Sequence, residues 1–483
     1  METITREEFY QKLNEDINLT DRTINSDINI LILENNIKLE SFTFENCTFD
    51  CGVLEFRHIK KPRLELIFKN CTFNCEVKFS DCIFDSLTFR NTKILKCLEI
   101  YKGSSDDSIF QLNVLDFSND SDIKKPELDT DFSIQKTNID SILFQKINHV
   151  NGQFKFLGNT VGKKYINISS FQDSTISNVM FGTNSFSTFS IFKRVIFNST
   201  PEYLKPSDSA FEFPGFYKNN FVKVSFSESN FMGKFQFENC DFLNTTWFEN
   251  CKNLQNSELK FVACKFEKYS LFDNSKFNKI EILHSKFLEK ASFENLEVNY
   301  FKIHQVSFFE AAYFDDLNRN NNKAIENWDI KTLRAIKREL QRTENRIDFN
   351  RFRAYELAAH YEELNYKENF KDVAILWATK WSSNYGSWTW AFWFTLIIGF
   401  VFFTPFYILE NIKLTLDLNN WEDFLYGYFR FFLITDFKNE YYIAGESVLK
   451  FNCFISLVPF IIGKIAVAFG IYEMIQSFRK FKA

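Results

Sequence analysis

Large apolar side chains recur every five residues through much of the first 320 positions of the chain. The clearest run comprises Phe272, Phe277, Ile282, Phe287, Phe293, Val298, Ile303, Phe308 and Phe314. Every fourth step is six rather than five, so the pattern returns to the same phase after 21 residues. A five-residue period fits neither an α-helix nor a strand. It predicts a β-solenoid in which the chain turns a corner every five residues and four quintets close one coil.

The residue two positions before many of the large apolar residues is small. Examples are Cys240, Cys264, Ser275, Ser285 and Ala291. Small side chains at these positions can point inward beside the large ones, while Asn, Lys, Glu and Asp occupy the other positions. The alternative fold, a β-sandwich, would show a two-residue period and Gly/Pro turns every 8–12 residues, and the sequence shows neither.

Nine of the ten cysteines lie in the solenoid region, and three of them, Cys47, Cys71 and Cys240, stand in a recurring Asn-Cys-x-Phe phrase. This context predicts reduced, buried thiols that act as small hydrophobic side chains. A zinc site is the alternative for Cys47 with Cys51 and Cys71 with Cys75. It is disfavoured because the spacing is not CxxC and no His lies at ligand spacing.

The phrases FENCTF, FKNCTF, FENCDF and FDNSKF resemble the pentapeptide-repeat family, whose fold is a right-handed quadrilateral β-helix. The resemblance implies a solenoid of about fourteen coils over residues 23–320, preceded by an N-terminal cap at residues 1–22. The repeat is broken near residues 101–149 and 201–217, where irregular insertions are expected.

After the solenoid, residues 321–383 change to a helical period and predict a helical neck. Leu333, Ile336 and Leu340 mark a first helix, and a second helix begins near Asp348, a plausible N-cap. A third helix, near residues 370–381, has an apolar face. It either packs on the first two helices or lies flat on a membrane surface, and the apolar residues that follow favour the surface.

Residues 384–483 are predicted to be a membrane domain with spans at about 388–409 and 451–475. Four tryptophans are candidate membrane-interface residues: Trp377, Trp381, Trp388 and Trp390. The loop between the spans carries seven acidic and four basic residues. By the positive-inside rule both termini are then cytosolic, and Met1 to Asn14 is too polar to be a secretion signal.

The stretch KRELQRTENRIDFNRFRAYELAAHYEEL, followed by SNYGSW, resembles the linker of bacterial pentapeptide-repeat membrane proteins. Some of these carry a two-helix potassium-channel module. The resemblance implies a bacterial inner-membrane location, with FLYGYFRFFLITDF in the position of the pore helix and filter. The filter motif Thr-x-Gly-Tyr-Gly-Asp is absent, and only Ile434, Thr435 and Asp436 stand in its place. A potassium filter of backbone carbonyls could not be built as that motif builds it.

Residues 424–434 are too few to cross a bilayer but strongly apolar apart from Arg430. This segment is expected to re-enter the membrane, lie on it, or cap the helices.

Lys464 lies near the middle of the second span, where a lone ammonium costs about 2.5–3.5 kcal/mol. Snorkelling and a neutral lysine are two alternatives; the third is that Lys464 faces a wet cavity or an acidic partner, Asp436 or Glu473. Gly463 and Gly470 lie on nearly the same face and would permit close helix approach. A ring of such lysines would favour an anion path over a cation path.

The sequence contains no phosphate loop, HExxH, GxSxG or CxxC pair, so neither an enzyme, a cofactor nor a metal is expected. Residues 222–318 carry 14 acids and 11 bases, a balance too neutral for nucleic-acid mimicry or binding. The favoured hypothesis is an oligomeric channel-like pore with a cytosolic solenoid that senses or docks. The alternative is a membrane-anchored interaction scaffold. Expected partners are the lipid bilayer, further copies of the chain and a cytosolic protein.

Overall fold

A computed structural model describes residues 2–14, 18–25, 28–30, 40–103, 110–118, 127–129, 131–151, 153–162, 168–198, 214–252, 257–410, 421–436 and 454–479. The chain divides into two compact units, Met1–Ala335 and Ile336–Ala483. The first unit is a β-solenoid over residues 3–313 whose strands pair in parallel from coil to coil, which confirms the fold that the five-residue period predicts.

Each regular coil carries four large inward side chains, one for each of four ladders. In one coil these are Phe68, Phe73, Phe79 and Phe84, all buried. The pairs that they make with the next coil are Phe68 with Phe89, Phe73 with Ile94, Phe79 with Ile100 and Phe84 with Leu112. Parallel pairing therefore places each apolar residue directly over its equivalent in the previous coil.

One side of the solenoid is a ladder of twelve strands: Ile28–Ile30, Val53–Arg57, Glu76–Ser80, Cys97–Tyr101, Asp131–Gln135, Phe154–Leu157, Val179–Gly182, Gly215–Tyr217, Lys234–Glu238, Glu258–Val262, Lys276–Leu283 and Glu297–His304. Ten more strands form two five-stranded ladders. The first comprises Glu2–Ile4, Arg22–Ile24, Thr48–Phe49, Thr72–Phe73 and Lys93–Ile94. The second comprises Glu127–Asp129, Asn148–Asn151, Thr175–Ser177, Ile196–Asn198 and Asn230–Met232.

The remaining strands form the other two sides of the solenoid. These two sides belong to one sheet because some strands continue from one side to the next. Asn138–Gln145, for example, pairs through its first residues with Thr160–Val161 and through its last with Ile168–Gln172. The other strands of this group are Leu19–Thr20, Ser41–Glu45, Glu65–Lys69, Ile83–Arg90, Gln111–Ser118, Ser185–Lys193, Asn220–Ser225, Asp241–Phe242, Thr246–Trp247, Lys265–Phe266, Ser270–Leu271, Lys286–Phe287, Ala291–Ser292, Ser307–Phe308 and Ala312–Tyr313.

Coil length varies along the solenoid. Paired residues are 21 positions apart from Lys276 to Glu297, but 35 apart from Gly182 to Tyr217. The expected number of about fourteen coils is slightly too high, because a strict 21-residue repeat undercounts the residues per coil. The longest described run of consecutively paired strands, from Leu19–Thr20 to Ala312–Tyr313, has thirteen.

The first predicted insertion, residues 101–149, is partly described. Its described strands continue the ladders, with steps of 28 residues from Ile83 to Gln111 and 27 from Gln111 to Asn138. Residues 104–109, 119–126 and 130 lie outside the described residues, as do residues 201–213 of the second insertion. The boundaries of both insertions remain predictions.

A continuous stack of phenylalanine rings runs through the solenoid. It comprises Phe44, Phe68, Phe89, Phe117, Phe144, Phe171, Phe192, Phe226, Phe248, Phe272, Phe293 and Phe314. Successive centroids are 4.5 to 5.1 Å apart, close to the spacing of paired strands. Each buried ring contributes about 1.5–3 kcal/mol through burial.

The small residues of the repeat hold successive coils together as well as filling space. Cys71 Sγ donates to the carbonyl of Phe44 at 3.4 Å, and Ser275 Oγ donates to that of Phe248 at 2.8 Å. Asn184 Nδ2 makes the same contact with Phe156 at 2.7 Å. The predicted inward, buried position is confirmed for Cys240, Cys264, Ser275, Ser285 and Ala291.

Asparagine precedes cysteine in the repeated phrase because that position turns a corner in the left-handed conformation. Asn46 and Asn70, and Asn91 at the equivalent position before Thr92, have φ of 55°, 53° and 50°, a region that Asn adopts more readily than most residues. Their side chains also form a ladder, since Asn70 Nδ2 donates to Asn46 Oδ1 and Asn91 Nδ2 to Asn70 Oδ1, both at 3.2 Å.

Helices cover both ends of the solenoid. At the start, α1 (Arg6–Asn14) places Phe9 against Phe44, with ring centroids 6.0 Å apart. At the other end, α2 (Asn322–Ile325) leads to Trp328, which packs edge-on against Phe301. The first turn of α3 (Ile330–Arg342) then supplies Thr332 Oγ1, which accepts a hydrogen bond from Ile303 N at 2.9 Å.

The second unit is helical. It contains the rest of α3, α4 (Arg346–Glu363), α5 (Phe370–Ser383), α6 (Trp388–Glu410), α7 (Trp421–Phe431), a 3₁₀ turn (Phe454–Ser456) and α8 (Leu457–Arg479). Among the residues that the structure describes, two stretches are long and apolar enough to cross a membrane, Trp388–Glu410 and Phe454–Phe478. They correspond to the predicted spans, although residues 451–453 lie outside the described part of the chain.

The predicted N-cap of α4 is wrong. Asn345 is the cap residue, and its Oδ1 accepts from Asp348 N at 3.1 Å. Asp348 lies three residues further on, and its Oδ2 accepts from Asn345 Nδ2 at 2.9 Å. This reciprocal pair differs from a capping box in that the Asp348 carboxylate accepts from the side-chain amide of Asn345. The acidic residue stands inside the helix rather than at its start.

The nine cysteines of the described chain have free thiols, eight buried and Cys97 half-buried; Cys453 lies outside it. Burial raises the pKa of both Cys82 and Cys97 to about 12, and the neighbouring carboxylate of Glu99 contributes for Cys97. A pKa four units above the solution pH leaves about one thiol in ten thousand as the reactive thiolate at pH 8.

We therefore expect Cys82 and Cys97 of the folded protein to resist iodoacetamide at pH 8 and to react fully in urea. At Cys97 the alkylation rate should still rise about tenfold per pH unit above pH 9, where an ordinary thiol has already levelled off. Site-resolved mass spectrometry measures this, with a short cysteine peptide as the control. A Cys97 rate that levels off near pH 9 would contradict the prediction.

The ring stack makes a second prediction. Replacing Phe248 by Ala should lower stability by about 3–5 kcal/mol, because the cavity removes contacts with both neighbouring coils. Since each coil contacts only its neighbours, hydrogen–deuterium exchange should accelerate between Phe226 and Phe272 and stay unchanged around Phe68. Phe309→Ala is the matched control, because Phe309 is 59% exposed. Equal exchange in the two variants would refute the role of the stack.

Candidate functional site

The two candidate spans pack side by side in opposite directions. Near the start of α6, the Trp388 ring lies 5.7 Å from that of Phe478 near the end of α8. At the other end, Ser456 Oγ donates to Glu410 Oε1, and both residues are buried. Between these ends the contact is aromatic, with the Phe406 and Phe460 ring centroids 4.9 Å apart.

Glycines allow close approach of α8 to its neighbours. A Cβ atom on Gly463 would lie 2.6 Å from Phe402 Cβ and 2.7 Å from Phe431 Cζ. One on Gly470 would lie 2.3 Å from Thr395 Oγ1. A larger residue at either position would push α8 away from α6, so both glycines are structural requirements of the pair.

The segment 424–434 forms most of α7 and the turn that follows it, and it packs against α6. The Tyr428 hydroxyl donates to the carbonyl oxygen of Leu396 at 2.7 Å. The Phe431 ring lies 5.6 Å from that of Phe403. These contacts place α7 beside the middle of α6 rather than beyond its end.

Lys464 is 3% exposed and points into this packing. Its ammonium donates to the carbonyl oxygen of Leu433 at 2.7 Å. It also lies over two rings, 5.0 Å from the Phe431 centroid and 5.4 Å from that of Phe460. A carbonyl just beyond the C-terminal end of α7 and two ring faces all present negative potential to the cation. The side chain therefore does not snorkel.

Neither predicted carboxylate is a direct partner of Lys464 in the described chain. Asp436 Oδ2 accepts from Arg430 Nε at 2.7 Å, and Glu473 Oε2 accepts from Ser383 Oγ at 2.8 Å. Asp436 is nevertheless near enough to attract the ammonium, and Arg430 near enough to repel it. The cluster thus joins two cations and one carboxylate.

The other predicted residues lie at the surface. Thr435 is exposed in the turn after α7. The four tryptophans, Trp377, Trp381, Trp388 and Trp390, are 45% to 57% exposed. Trp390 Nε1 donates to the Trp381 carbonyl at 2.9 Å and so links the end of α5 to the start of α6. A role in a pore or at a membrane interface stays a prediction for all these residues.

Sequence reasoning missed the contacts that complete the site. The Leu433 carbonyl belongs to the backbone, so its residue type carries no signal. Phe431 and Phe460 resemble any other apolar residue of their segments. The Glu410 carboxylate, counted as a loop charge, is buried against Ser456. An acid at the end of an uncharged stretch was the one available signal for this last contact.

In the part of the chain that the structure describes, no group of three or more His, Cys, Asp or Glu residues is placed to hold a metal ion. No protein-family model, curated protein or solved structure matches the chain.

The geometry predicts that Lys464→Met loosens α7 without lowering global stability. Burial of the ammonium costs about 2.5–3.5 kcal/mol and its charged hydrogen bond returns about 1.5–3 kcal/mol, so the two effects nearly cancel. Removal of the hydrogen bond should accelerate exchange across residues 430–436 about tenfold or more, while the thermal midpoint stays close to that of the parent. Lys371→Met, at an exposed position of α5, is the control. Unchanged exchange at 430–436 would show that Lys464 does not hold this segment.

Proposed function

We propose that the protein is a non-enzymatic, membrane-anchored interaction scaffold of the pentapeptide-repeat type, held in a bacterial inner membrane by α6 and α8. The observation that carries the proposal is the distribution of side chains on the two helices. Their exposed mid-helix positions are all apolar: Phe392, Trp393, Ile397, Phe400 and Val401 on α6, and Val458, Ile461, Ile462 and Ile465 on α8.

Polar groups of the same helices point inward. Thr395, Glu410 and Lys464 are buried among the helices. A bilayer solvates an apolar surface, whereas a water-filled path needs polar groups along its wall. The side-chain distribution thus supports an anchor over a pore, although the resemblance of the neck sequence to channel-bearing proteins favours a pore.

The antiparallel packing of α6 and α8 supports the proposed topology. If both helices cross the membrane, the chain before α6 and the chain after α8 lie on the same side. The acidic loop between the spans favours the cytosol for that side. The solenoid would then be exposed to cytosolic proteins.

A protein is the proposed partner of the solenoid, because several of its surface lysines are paired with carboxylates. Lys279 Nζ lies 2.8 Å from Glu258 Oε1, and Lys276 Nζ lies 2.8 Å from Glu297 Oε2. A surface of paired charges offers no continuous positive stripe for phosphates.

A channel-like pore is the second candidate, and one observation favours it. The short helix α7 lies beside the middle of α6 and ends at the cluster of Arg430, Asp436 and Lys464. In an oligomer, several such clusters could surround one axis.

The experiment combines reconstitution with a matched pair of variants. We expect the protein to resist carbonate extraction and to give no ion flux above background in liposomes. Ile397→Arg should impair insertion by about 2.5–3.5 kcal/mol. Ile347→Arg, at a position of α4 that is 73% exposed, should not. Extraction by carbonate would contradict the anchor. Flux that scales with the amount of protein and changes in Lys464→Met would establish the pore instead.

A further inference from the structure

A cavity of about 480 Å³ lies in the helical unit and opens to its surface. It is bounded by α4, α5, the turn before α6 and the last turns of α8. Its size falls within the range of small-molecule sites. The wall at the turn includes Gly386, two residues before the first residue of α6. The cavity therefore lies where the candidate spans begin and end, at the level expected for lipid headgroups.

Two opposite charges line this cavity. Arg353 projects from α4 and Glu473 from α8. Within the described residues, Arg353 has no salt-bridge partner. Glu473 uses Oε2 to accept from Ser383 Oγ, which leaves Oε1 for another donor. One guanidinium and one carboxylate oxygen are thus available in a single cavity.

The rest of the lining is amphipathic. Ile375 and Leu376 form an apolar wall on α5, while Gln476 and Ser477 are polar neighbours of Glu473. Burial raises the pKa of Tyr385, another lining residue, to about 12, so its hydroxyl adds no negative charge at neutral pH. Ile375 is 65% exposed and Tyr472 54%, so an apolar chain could leave the cavity over them.

We propose that this cavity binds the headgroup of an aminophospholipid, with the phosphate on Arg353 and the primary ammonium on Glu473. The inference rests on the membrane anchoring proposed above. A guanidinium matches phosphate oxygens through two parallel hydrogen bonds. A carboxylate oxygen accepts from the N–H groups of a primary ammonium.

Other headgroups fit less well. A choline headgroup has no N–H to offer Glu473, and proteins hold it with cages of aromatic rings. A glycerol headgroup satisfies Arg353 but brings only a negative charge close to Glu473. The pair of charges therefore selects ethanolamine over both.

The test uses the delipidated full-length protein in detergent, titrated with short-chain phosphatidylethanolamine, phosphatidylcholine or phosphatidylglycerol and followed by native mass spectrometry. We expect phosphatidylethanolamine to bind about tenfold more tightly than the other two. Arg353→Gln should weaken all three lipids. Glu473→Gln should abolish the preference for ethanolamine while keeping an acceptor for Ser383.

Lys371→Gln and Glu368→Gln, both exposed and outside the cavity lining, are the matched controls and should bind as the parent does. Equal affinity for the three lipids, or a preference that survives Glu473→Gln, would overturn the proposal. Free phosphoethanolamine that binds as tightly as the lipid would overturn the lipid assignment. Carbonate extraction of Arg353→Gln and Glu473→Gln separates failure of the lipid site from failure of the anchor. Neither substitution lies among the apolar mid-helix positions, so both variants should stay in the membrane whether or not the lipid site exists.

Discussion

The solenoid depends on one distance, the separation of strands in neighbouring coils. Backbone hydrogen bonds set it at about 4.8 Å, and the Phe44 and Phe68 rings stack at that same value, 4.8 Å between centroids. The same step brings Cys71 Sγ within reach of the Phe44 carbonyl. Backbone, ring and thiol contacts therefore reinforce one another at each coil, so no element must compromise its own geometry for the others.

The five-residue period predicted the inward residues because every coil repeats the same contacts. Phe272, Phe277 and Ile282 are buried as the period requires. The period could not predict coil length where residues are inserted, since residues added between two strands leave the pairing of the ladders unchanged. The 35-residue step from Gly182 to Tyr217 is such a case. The prediction of the N-cap of α4 was wrong for a different reason. Asn345 and Asp348 are three residues apart, and either side chain can cap a helix.

In the helical unit, the sequence identified the unusual residue but not its partner. A lysine in an apolar stretch stands out by composition alone. Its partner is the carbonyl of Leu433, a group that every residue has, so only the fold of the chain after α7 reveals it. The sequence directed attention to Asp436 instead, whose carboxylate is engaged by Arg430.

The placement of Lys464 suggests why a chain would retain a charge that costs free energy to bury. Apolar packing between α6, α7 and α8 has little directional preference, and Phe rings tolerate several rotations of a short helix such as α7. A donor that must reach one carbonyl oxygen does not tolerate them, because any other arrangement leaves a buried ammonium without a partner. Gly463 brings the Phe431 ring against α8 immediately beside that donor, so close packing and hydrogen bonding select the same position of α7. The buried charge thus contributes specificity of arrangement, rather than net stability, to the helical unit.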